Sequence, residues 1–253
     1  MKEFYRVTLP VIEEEVDLIN SDQIIKYCIS KLGLEEKRII SNHNLHSIYM
    51  KMTNKNMERF YSISDIIHID GFPIWMLAKI RNHRLNSKFK TTYLDWIDNL
   101  FIQLNHWEGC RILYVGGRKS VNESVIRKLQ ESYPNLNFMG LDGYGEQNED
   151  DAIDRINEFR PNLIFVGMGM PIQEEWILKK YSRLHCDVIF QCGAALEYYL
   201  YPEKKSPRLL SKIGFEWAFR FMREPKKFWR RYFVEPIILV AIIATRKYRR
   251  MKS

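Results

Sequence analysis

Apolar and polar positions follow one another in blocks along the chain, and the blocks predict strands that alternate with helices. After residue 110, short apolar runs typical of buried strands occupy 111–115, 136–141, 162–166 and 187–191. Stretches with helical spacing lie between or after them, at about 120–133, 150–159 and 172–184. Because strands that alternate with helices form parallel sheets, this region predicts a parallel sheet with helices on both faces.

The first 110 residues carry a less regular version of the same pattern. Short apolar runs at 38–41 and 66–69 predict two further strands. Helical spacing predicts helices at about 23–32, 45–52, 74–83 and 91–107. We therefore expect a Rossmann-like α/β core over residues 1–203.

Composition changes after residue 203, where a second region begins. Residues 204–253 carry 15 Lys and Arg against 3 Glu, a net charge of +12, whereas residues 1–203 carry a net charge of −4. An aromatic-rich helix is predicted over 214–222, and the apolar run 237–244 extends about 12 Å as helix, too short to cross a membrane. This basic helical C-terminal appendage predicts contact with an anionic partner such as a membrane surface, unless 237–244 packs on the core.

Composition and cysteine placement exclude several classes of protein. The chain of 253 residues is 46% hydrophobic, so it can bury a full core. Its four cysteines are far apart and form no CxxC pair, which argues against a disulfide framework or a zinc knuckle. The sequence has no apolar segment of signal-peptide type and no apolar run of about 18 residues. We therefore expect a cytoplasmic protein without a membrane-spanning helix.

One strand–turn–helix unit, over residues 161–177, has the strongest features of a ligand site. A buried strand ends at Gly167, and Gly167 and Gly169 permit a turn that a ligand can approach closely. Pro171 suits the start of the following helix, and Gln173 lies in its first turn. Because helix N-termini attract anions, the unit predicts an anion site, although an ordinary turn without a ligand explains the pattern equally well.

Glycines and an acid follow the neighbouring strands, at the edge where ligands of parallel sheets bind. These residues are Gly116, Gly117, Asp142, Gly143 and Gly193. Asp142 has the position of an acid that holds a ribose hydroxyl in nucleotide-binding folds. Neither glycine turn reads GxGxxG, which disfavours a dinucleotide dehydrogenase, and the absence of GxxxxGK[ST] excludes a P-loop.

Asp70 follows the predicted strand 66–69 and begins the turn sequence Asp-Gly-Phe-Pro. A carboxylate held there can act as a general base when burial raises its pKa. Considered alone, an aspartate in this position is more often a capping residue for the next helix. The residue is therefore a candidate base that needs support from elsewhere in the chain.

Four cations in the appendage recur at helical spacing. Arg220, Arg223, Lys227 and Arg230 would form one basic stripe on a helix that continued through Pro225. A stripe with almost no acid beside it suits a diphosphate or anionic lipid headgroups. The ordinary alternative is that these four cations form a solvent-exposed helix face that binds no ligand.

Three blocks of sequence, in this order and spacing, resemble one family. They read IDGFPI at 69–74, VGMGMPIQEEW at 166–176, and GFEW at 214–217 followed by REP at 223–225 and RRY at 230–232. Over about residues 38–232 the chain resembles the WecG/TagA/CpsF glycosyltransferases of bacterial cell-surface polysaccharide synthesis. The family often has Thr at the position of Ile40 and Lys at that of Ile172, so the resemblance leaves the donor sugar open.

The resemblance implies a metal-independent, inverting transfer of a sugar from a UDP-sugar to a polyprenyl-diphosphate-linked glycan, with no cofactor. It implies that Asp70 is the base, and that Asn42, the turn 167–171 and Gln173 form the donor site together with the strand-end residues described above. It further implies a grip on the acceptor diphosphate by Arg220, Arg223, Arg230 and Arg231. The appendage would hold the enzyme on the inner face of the plasma membrane.

Two other functions remain open from the sequence. One is a Rossmann-type oxidoreductase or methyltransferase, which the missing glycine fingerprint disfavours. The other is a non-enzymatic protein that uses its basic appendage on a membrane or a nucleic acid. That function gives no role to Asp70 or to residues 167–173, so we expect no nucleic-acid partner. The acceptor glycan and the choice between a monomer and a homo-oligomer stay open.

Overall fold

The computed structural model describes residues 4–34, 36–107, 109–145 and 149–252, and it is built around one eight-stranded sheet. The strands are β1 (Tyr5–Thr8), β2 (Glu15–Leu18), β3 (Arg38–His43), β4 (Ile66–Ile69), β5 (Arg111–Gly116), β6 (Asn137–Leu141), β7 (Leu163–Gly167) and β8 (Val188–Gln191). Their order across the sheet is β1-β2-β4-β3-β8-β7-β5-β6. β1 pairs with β2 antiparallel and the other pairs are parallel, which confirms the predicted α/β class.

Helices cover both faces of the sheet and then continue into the appendage. They are α1 (Ser21–Ser30), α2 (Leu45–Thr53), α3 (Lys55–Ser62), α4 (Phe72–Arg81), α5 (Tyr93–Leu104), α6 (Lys119–Ser132), α7 (Glu149–Phe159), α8 (Ile172–Lys180), α9 (Arg208–Ile213), α10 (Glu216–Arg223), α11 (Pro225–Trp229) and α12 (Glu235–Lys252). Successive β7 residues Ile164 and Phe165 belong to different hydrophobic clusters, because neighbouring side chains of a strand point to opposite faces. The cluster around Phe165 contains residues of α1, α5 and α6, and that around Ile164 contains residues of α3, α7 and α8.

The β1–β2 hairpin is an element that the apolar pattern does not predict. Asp17 in β2 is only 2% exposed, and both of its carboxylate oxygens accept hydrogen bonds from Arg6, at 2.7 and 2.6 Å. Asp17 Oδ2 also accepts a hydrogen bond from the backbone N–H of Ile67 in β4. A buried carboxylate and its partly exposed arginine partner therefore occupy strand positions that look solvent-facing in the sequence.

The appendage does not contain the single long basic helix that would form one stripe. α10 ends at Arg223, and Glu224 has φ −134° and ψ 64°. The residue before a proline is disfavoured in helical geometry, so the break lies directly before Pro225. One π-helical turn, Arg230–Val234, then joins α11 to α12.

α12 is much longer than the predicted apolar run, and its apolar residues divide between two faces. Leu239 is 4% exposed and belongs to the hydrophobic cluster that the β1–β2 hairpin, α2 and α4 share. Ile237 and Val240 are 71% and 66% exposed. The helix therefore packs on the core along one side and presents apolar side chains along the other. None of the described helices is long and apolar enough to cross a membrane.

Candidate active site

The sheet contains a crevice where the direction of its strand order reverses. The chain runs from β5 to β6 on one side and then to β7 on the other side of β5. At the carboxyl ends of these strands, Gly116 pairs with Gly167. Ligands of open α/β sheets bind outside such a reversal, so the predicted turn after β7 lies in the expected place for a ligand.

The strand ends at this crevice approach one another too closely for side chains. A Cβ atom added to Gly116 would lie 2.5 Å from the carbonyl oxygen of Gly167. A Cβ atom on Gly167 would lie 2.4 Å from the carbonyl oxygen of Gly193. The glycines are therefore required by close packing, and the floor of the crevice is made of backbone.

The buried side chain of Gln173 connects the turn after β7 to the turn after β8. Its Oε1 accepts hydrogen bonds from the backbone N–H groups of Gly169, at 3.2 Å, and Gly193, at 3.1 Å. Its Nε2 donates to Oε1 of Glu174 at 2.7 Å. Burial raises the pKa of Glu174 to about 7, against the lowering effect of the hydrogen bond from Gln173. Both side chains are buried, so Gln173 links the turns after β7 and β8 from within the protein.

Asp142 lies at the outer end of the crevice, directly after β6. Its Oδ1 accepts a hydrogen bond of 2.8 Å from the backbone N–H of Tyr144, and the hydroxyl of Tyr144 donates to the carbonyl oxygen of Met168 at 2.7 Å. A surface cleft here is also lined by Arg118 and Lys119, which the sequence did not single out. Gly143 and Gly117 join the two loops through a backbone hydrogen bond of 3.2 Å.

Asn42 lies in β3, in the part of the edge between Gly193 and Asp70. It is buried, and its Oδ1 has no hydrogen-bond partner among the described residues. Its carbonyl oxygen accepts hydrogen bonds from the Tyr61 hydroxyl and from Nε2 of Gln191. Two hydrogen bonds to its backbone carbonyl therefore fix the position of Asn42, whereas its carboxamide oxygen has no hydrogen-bond partner among the described residues.

Asp70 lies directly after β4, at the opposite end of the same sheet edge. Nδ2 of Asn44 donates a hydrogen bond of 3.1 Å to its Oδ2. Burial and the nearby Glu216 carboxylate raise the pKa of Asp70 to about 6, while Asn44, Arg220 and Arg231 act to lower it. A carboxylate with this pKa is ionised at neutral pH and is still a stronger base than an ordinary aspartate.

The structure divides the four predicted arginines into two pairs. Arg220 and Arg231, the inner pair, both act electrostatically on Asp70. Nη2 of Arg231 lies 3.5 Å from Oδ1 of Asn44, and burial lowers the pKa of Arg231. Burial is the largest single effect on the pKa of Arg220 and acts to lower it. Its hydrogen-bonded partner Glu216, together with Tyr198, Tyr232 and Asp70, outweighs burial, so the pKa is raised. Arg223 and Arg230, the outer pair, are exposed on the appendage.

Several residues at the Asp70 end of the site were not found from the sequence. Nζ of Lys90 donates to the carbonyl oxygen of Ser211, whose hydroxyl donates to Glu216 at 3.2 Å. Nδ1 of His46 and Oε2 of Glu235 are 2.5 Å apart and connect α2 to α12. Lys90 and Ser211 are 121 residues apart and His46 and Glu235 are 189 apart, so no local pattern could have predicted these two contacts. Among the described residues, no three His, Cys, Asp or Glu side chains are grouped to hold a metal ion.

Comparison with known proteins gives consistent matches over most of the chain. The family model "Glycosyl transferase WecG/TagA/CpsF family" matches residues 9–253. The chain is 31% identical over 217 residues to proteins named N-acetylglucosaminyldiphosphoundecaprenol N-acetyl-beta-D-mannosaminyltransferase from Staphylococcus aureus strains MRSA252 and MW2. These matches cover 85% of this chain and 80% of each relative.

Proposed function

The chain belongs to the WecG/TagA/CpsF family of glycosyl transferases, and we propose that it transfers an N-acetylhexosamine from a UDP-sugar to a polyprenyl-diphosphate-linked sugar. The names of its staphylococcal relatives, which describe transfer of N-acetylmannosamine to a lipid-diphosphate-linked N-acetylglucosamine, support this choice of transferred sugar and acceptor class. The reaction would serve the synthesis of a bacterial cell-surface polysaccharide.

The observation that carries the proposal is the order of the site residues along one sheet edge. Neighbouring strands lie about 4.8 Å apart, so the five steps from β6 to β4 cover about 24 Å. That edge is long enough to place a nucleoside, a diphosphate, a sugar and an acceptor hydroxyl in sequence. The residues along it, in spatial order, are Asp142, Gly116 and Gly117, the turn 167–171, Gly193, Asn42 and Asp70.

Asp70 takes the role of general base in this arrangement. Its carboxylate removes the proton from the acceptor hydroxyl, whose oxygen forms a bond to the anomeric carbon as the bond from that carbon to the UDP oxygen breaks. Attack opposite the leaving group inverts the anomeric centre. Asn44 fixes the direction of one carboxylate oxygen, and burial together with Glu216 keeps the carboxylate basic.

The departing UDP needs stabilisation of its negative charge. α8 begins directly after the turn that follows β7, at the reversal of strand order, and the N-terminal end of a helix presents fixed N–H donors and a positive dipole to an anion. Fixed donors of this kind lower the barrier because they are already oriented when charge develops. We assign the donor diphosphate to this turn and the nucleoside to the cleft beside Asp142.

The acceptor diphosphate is assigned to the inner pair, Arg220 and Arg231, because both lie beside Asp70. The outer pair and the apolar residues Ile237 and Val240 of α12 are exposed on the appendage and suit a membrane surface. The enzyme would thereby meet its lipid-linked acceptor at the inner face of the plasma membrane.

Thermal unfolding with nucleotides tests the donor assignment. A ligand at about 100 times its Kd stabilises the folded state by about 2.7 kcal/mol. We expect UDP to raise the unfolding temperature, and NAD and S-adenosylmethionine to leave it unchanged. Protection by either of those cofactors, with none by UDP, would support a Rossmann-type oxidoreductase or methyltransferase instead.

A further inference from the structure

We propose that Glu174 is a positioning residue of the donor site: it fixes the orientation of the Gln173 carboxamide, which in turn fixes the turns after β7 and β8. The geometry of the turns carries this inference. Its link to the donor rests on the function proposed above.

The two turns depend on one oxygen atom. Oε1 of Gln173 accepts hydrogen bonds from the N–H groups of both Gly169 and Gly193. Gly169 has φ +78° and Gly193 has φ +53°, left-handed conformations at the points where the chain leaves β7 and β8. These residues have few interactions of their own to hold them there, since they carry no side chain.

A carboxamide can present either its oxygen or its nitrogen to these two donors. With the nitrogen toward them, N–H groups would face N–H groups, and both backbone donors would lose their acceptor. The opposite end of the Gln173 carboxamide meets Glu174 Oε1 at 2.7 Å. The ionised carboxylate of Glu174 can only accept, so its Oε1 pairs with Nε2 and repels the carboxamide oxygen. Glu174 thereby selects the orientation that the glycine turns require.

The burial of Glu174 is otherwise unfavourable. The residue is 0% exposed, and its second oxygen, Oε2, has no hydrogen-bond partner within the described part of the chain. Burying an incompletely bonded polar group costs free energy that an apolar side chain would avoid. We therefore assign its contribution to the geometry of the site and not to the stability of the fold.

The adjacent Glu175 provides a matched control. It occupies the same first turn of α8, but its Oε1 accepts from the side-chain amides of Asn54 and Asn56, each at 3.3 Å. Its removal takes the same charge from the start of the helix without touching Gln173. Any effect of the helix dipole is therefore shared by both positions.

The test measures UDP affinity by calorimetry in Glu174→Leu, Glu174→Gln and Glu175→Leu. We expect Glu174→Leu to weaken UDP binding roughly tenfold or more, the range for losing a hydrogen bond to a charged group. Its unfolding temperature should stay close to that of the wild type, because removal of the buried carboxyl offsets the loss of the acceptor for Gln173 Nε2. Glu174→Gln should bind UDP more tightly than Glu174→Leu, because its carboxamide oxygen can accept from Gln173. Glu175→Leu should bind UDP like the wild type.

Equal UDP affinity in the wild type and Glu174→Leu, or an affinity of Glu174→Gln no higher than that of Glu174→Leu, would overturn the inference. If the leucine variant does not fold, Glu174→Met repeats the test with a longer apolar chain. Amide hydrogen exchange at Gly169 and Gly193 gives a second readout, which should accelerate in Glu174→Leu only. If the wild type itself fails to bind UDP, the proposed function is wrong, and this exchange measurement still tests the positioning role.

Discussion

Asn44 donates a 3.1 Å hydrogen bond to Asp70, and the orientation of that donor is set by a helix cap. Asn44 is the N-cap of α2, and its Oδ1 accepts from the backbone N–H of Ser47 at 3.0 Å. The oxygen is therefore committed to the helix, which leaves the nitrogen to face Asp70. Arg231 approaches the same oxygen from the appendage. One side chain thus connects the candidate base to the core and to the appendage.

Asp70→Asn should retain the fold and lose most turnover. The substituted amide keeps an oxygen that can accept from Asn44 but cannot take a proton from the acceptor, so kcat should fall by about 10²–10⁴. UDP affinity should be unchanged, because the donor crevice lies on other strands. Turnover near the wild-type value in a folded variant would remove Asp70 as the base.

The pH dependence of kcat/KM should report the ionisation of Asp70. Because the base must be deprotonated, kcat/KM should rise with pH through a midpoint near 6 and then level off. Glu216→Gln should move that midpoint to lower pH, since it removes a neighbouring negative charge and leaves Arg220 less neutralised. Glu224→Gln, which removes a charge paired with Lys227 on the same appendage, should leave it unchanged. A midpoint that stays fixed in Glu216→Gln contradicts the assignment.

Substitutions of the inner and of the outer arginine pair should affect transfer differently when a soluble acceptor is compared with an acceptor in lipid vesicles. Arg220→Gln or Arg231→Gln should reduce transfer roughly tenfold to a hundredfold on a soluble diphosphate-sugar acceptor and on one in vesicles. Arg223→Gln combined with Arg230→Gln should reduce transfer only with vesicles that contain anionic lipid. Arg155→Gln, on α7, serves as the control for loss of one surface charge. Equal loss on both acceptors in the outer double variant would argue against its membrane role.

Neighbouring residues of α12 should differ sharply in their effect on stability. Leu239→Ala should lower the free energy of unfolding by about 2–4 kcal/mol, because Leu239 is buried in a core cluster. Val240→Ala, next along the same helix, should change it by less than about 0.5 kcal/mol, since that side chain is largely exposed. Urea denaturation measures both. Similar values for the two variants would mean that α12 does not pack on the core in solution.

The regular α/β half of the fold could be predicted from the sequence because its strands are continuous apolar runs. The strand at 66–69 was predicted to the residue, and those of the second half to within one residue at each end. The first hairpin was missed because its strand β2 buries the charged side chain of Asp17, which pairs with the partly exposed Arg6 of β1. Charge hides such burial from an apolar pattern. Helix α3 was also missed, because only three of its eight residues, Met57, Phe60 and Tyr61, are buried and the apolar pattern is correspondingly weak.

The candidate site also has a part that could be predicted from the sequence and a part that could not. Gly167, Gly169 and Asp70 could be found because turns and strand ends have local sequence signals. The environment of Asp70 could not, since Lys90 and Glu216 reach it from separate parts of the chain. The proposed basic stripe depended on a helix that the proline at 225 interrupts, so only the folded chain shows which arginines meet Asp70.

The most direct test of the proposed activity is a transfer assay with a short-chain polyprenyl-diphosphate N-acetylglucosamine acceptor and a panel of UDP-sugars. Wild-type enzyme and Asp70→Asn are compared with UDP-N-acetylhexosamines and UDP-hexoses, and the product is identified by mass. We predict a lipid-linked disaccharide from a UDP-N-acetylhexosamine, formed by the wild type and nearly absent with the variant. Failure of every UDP-sugar to give product, with an acceptor that a staphylococcal relative does extend, would contradict the account.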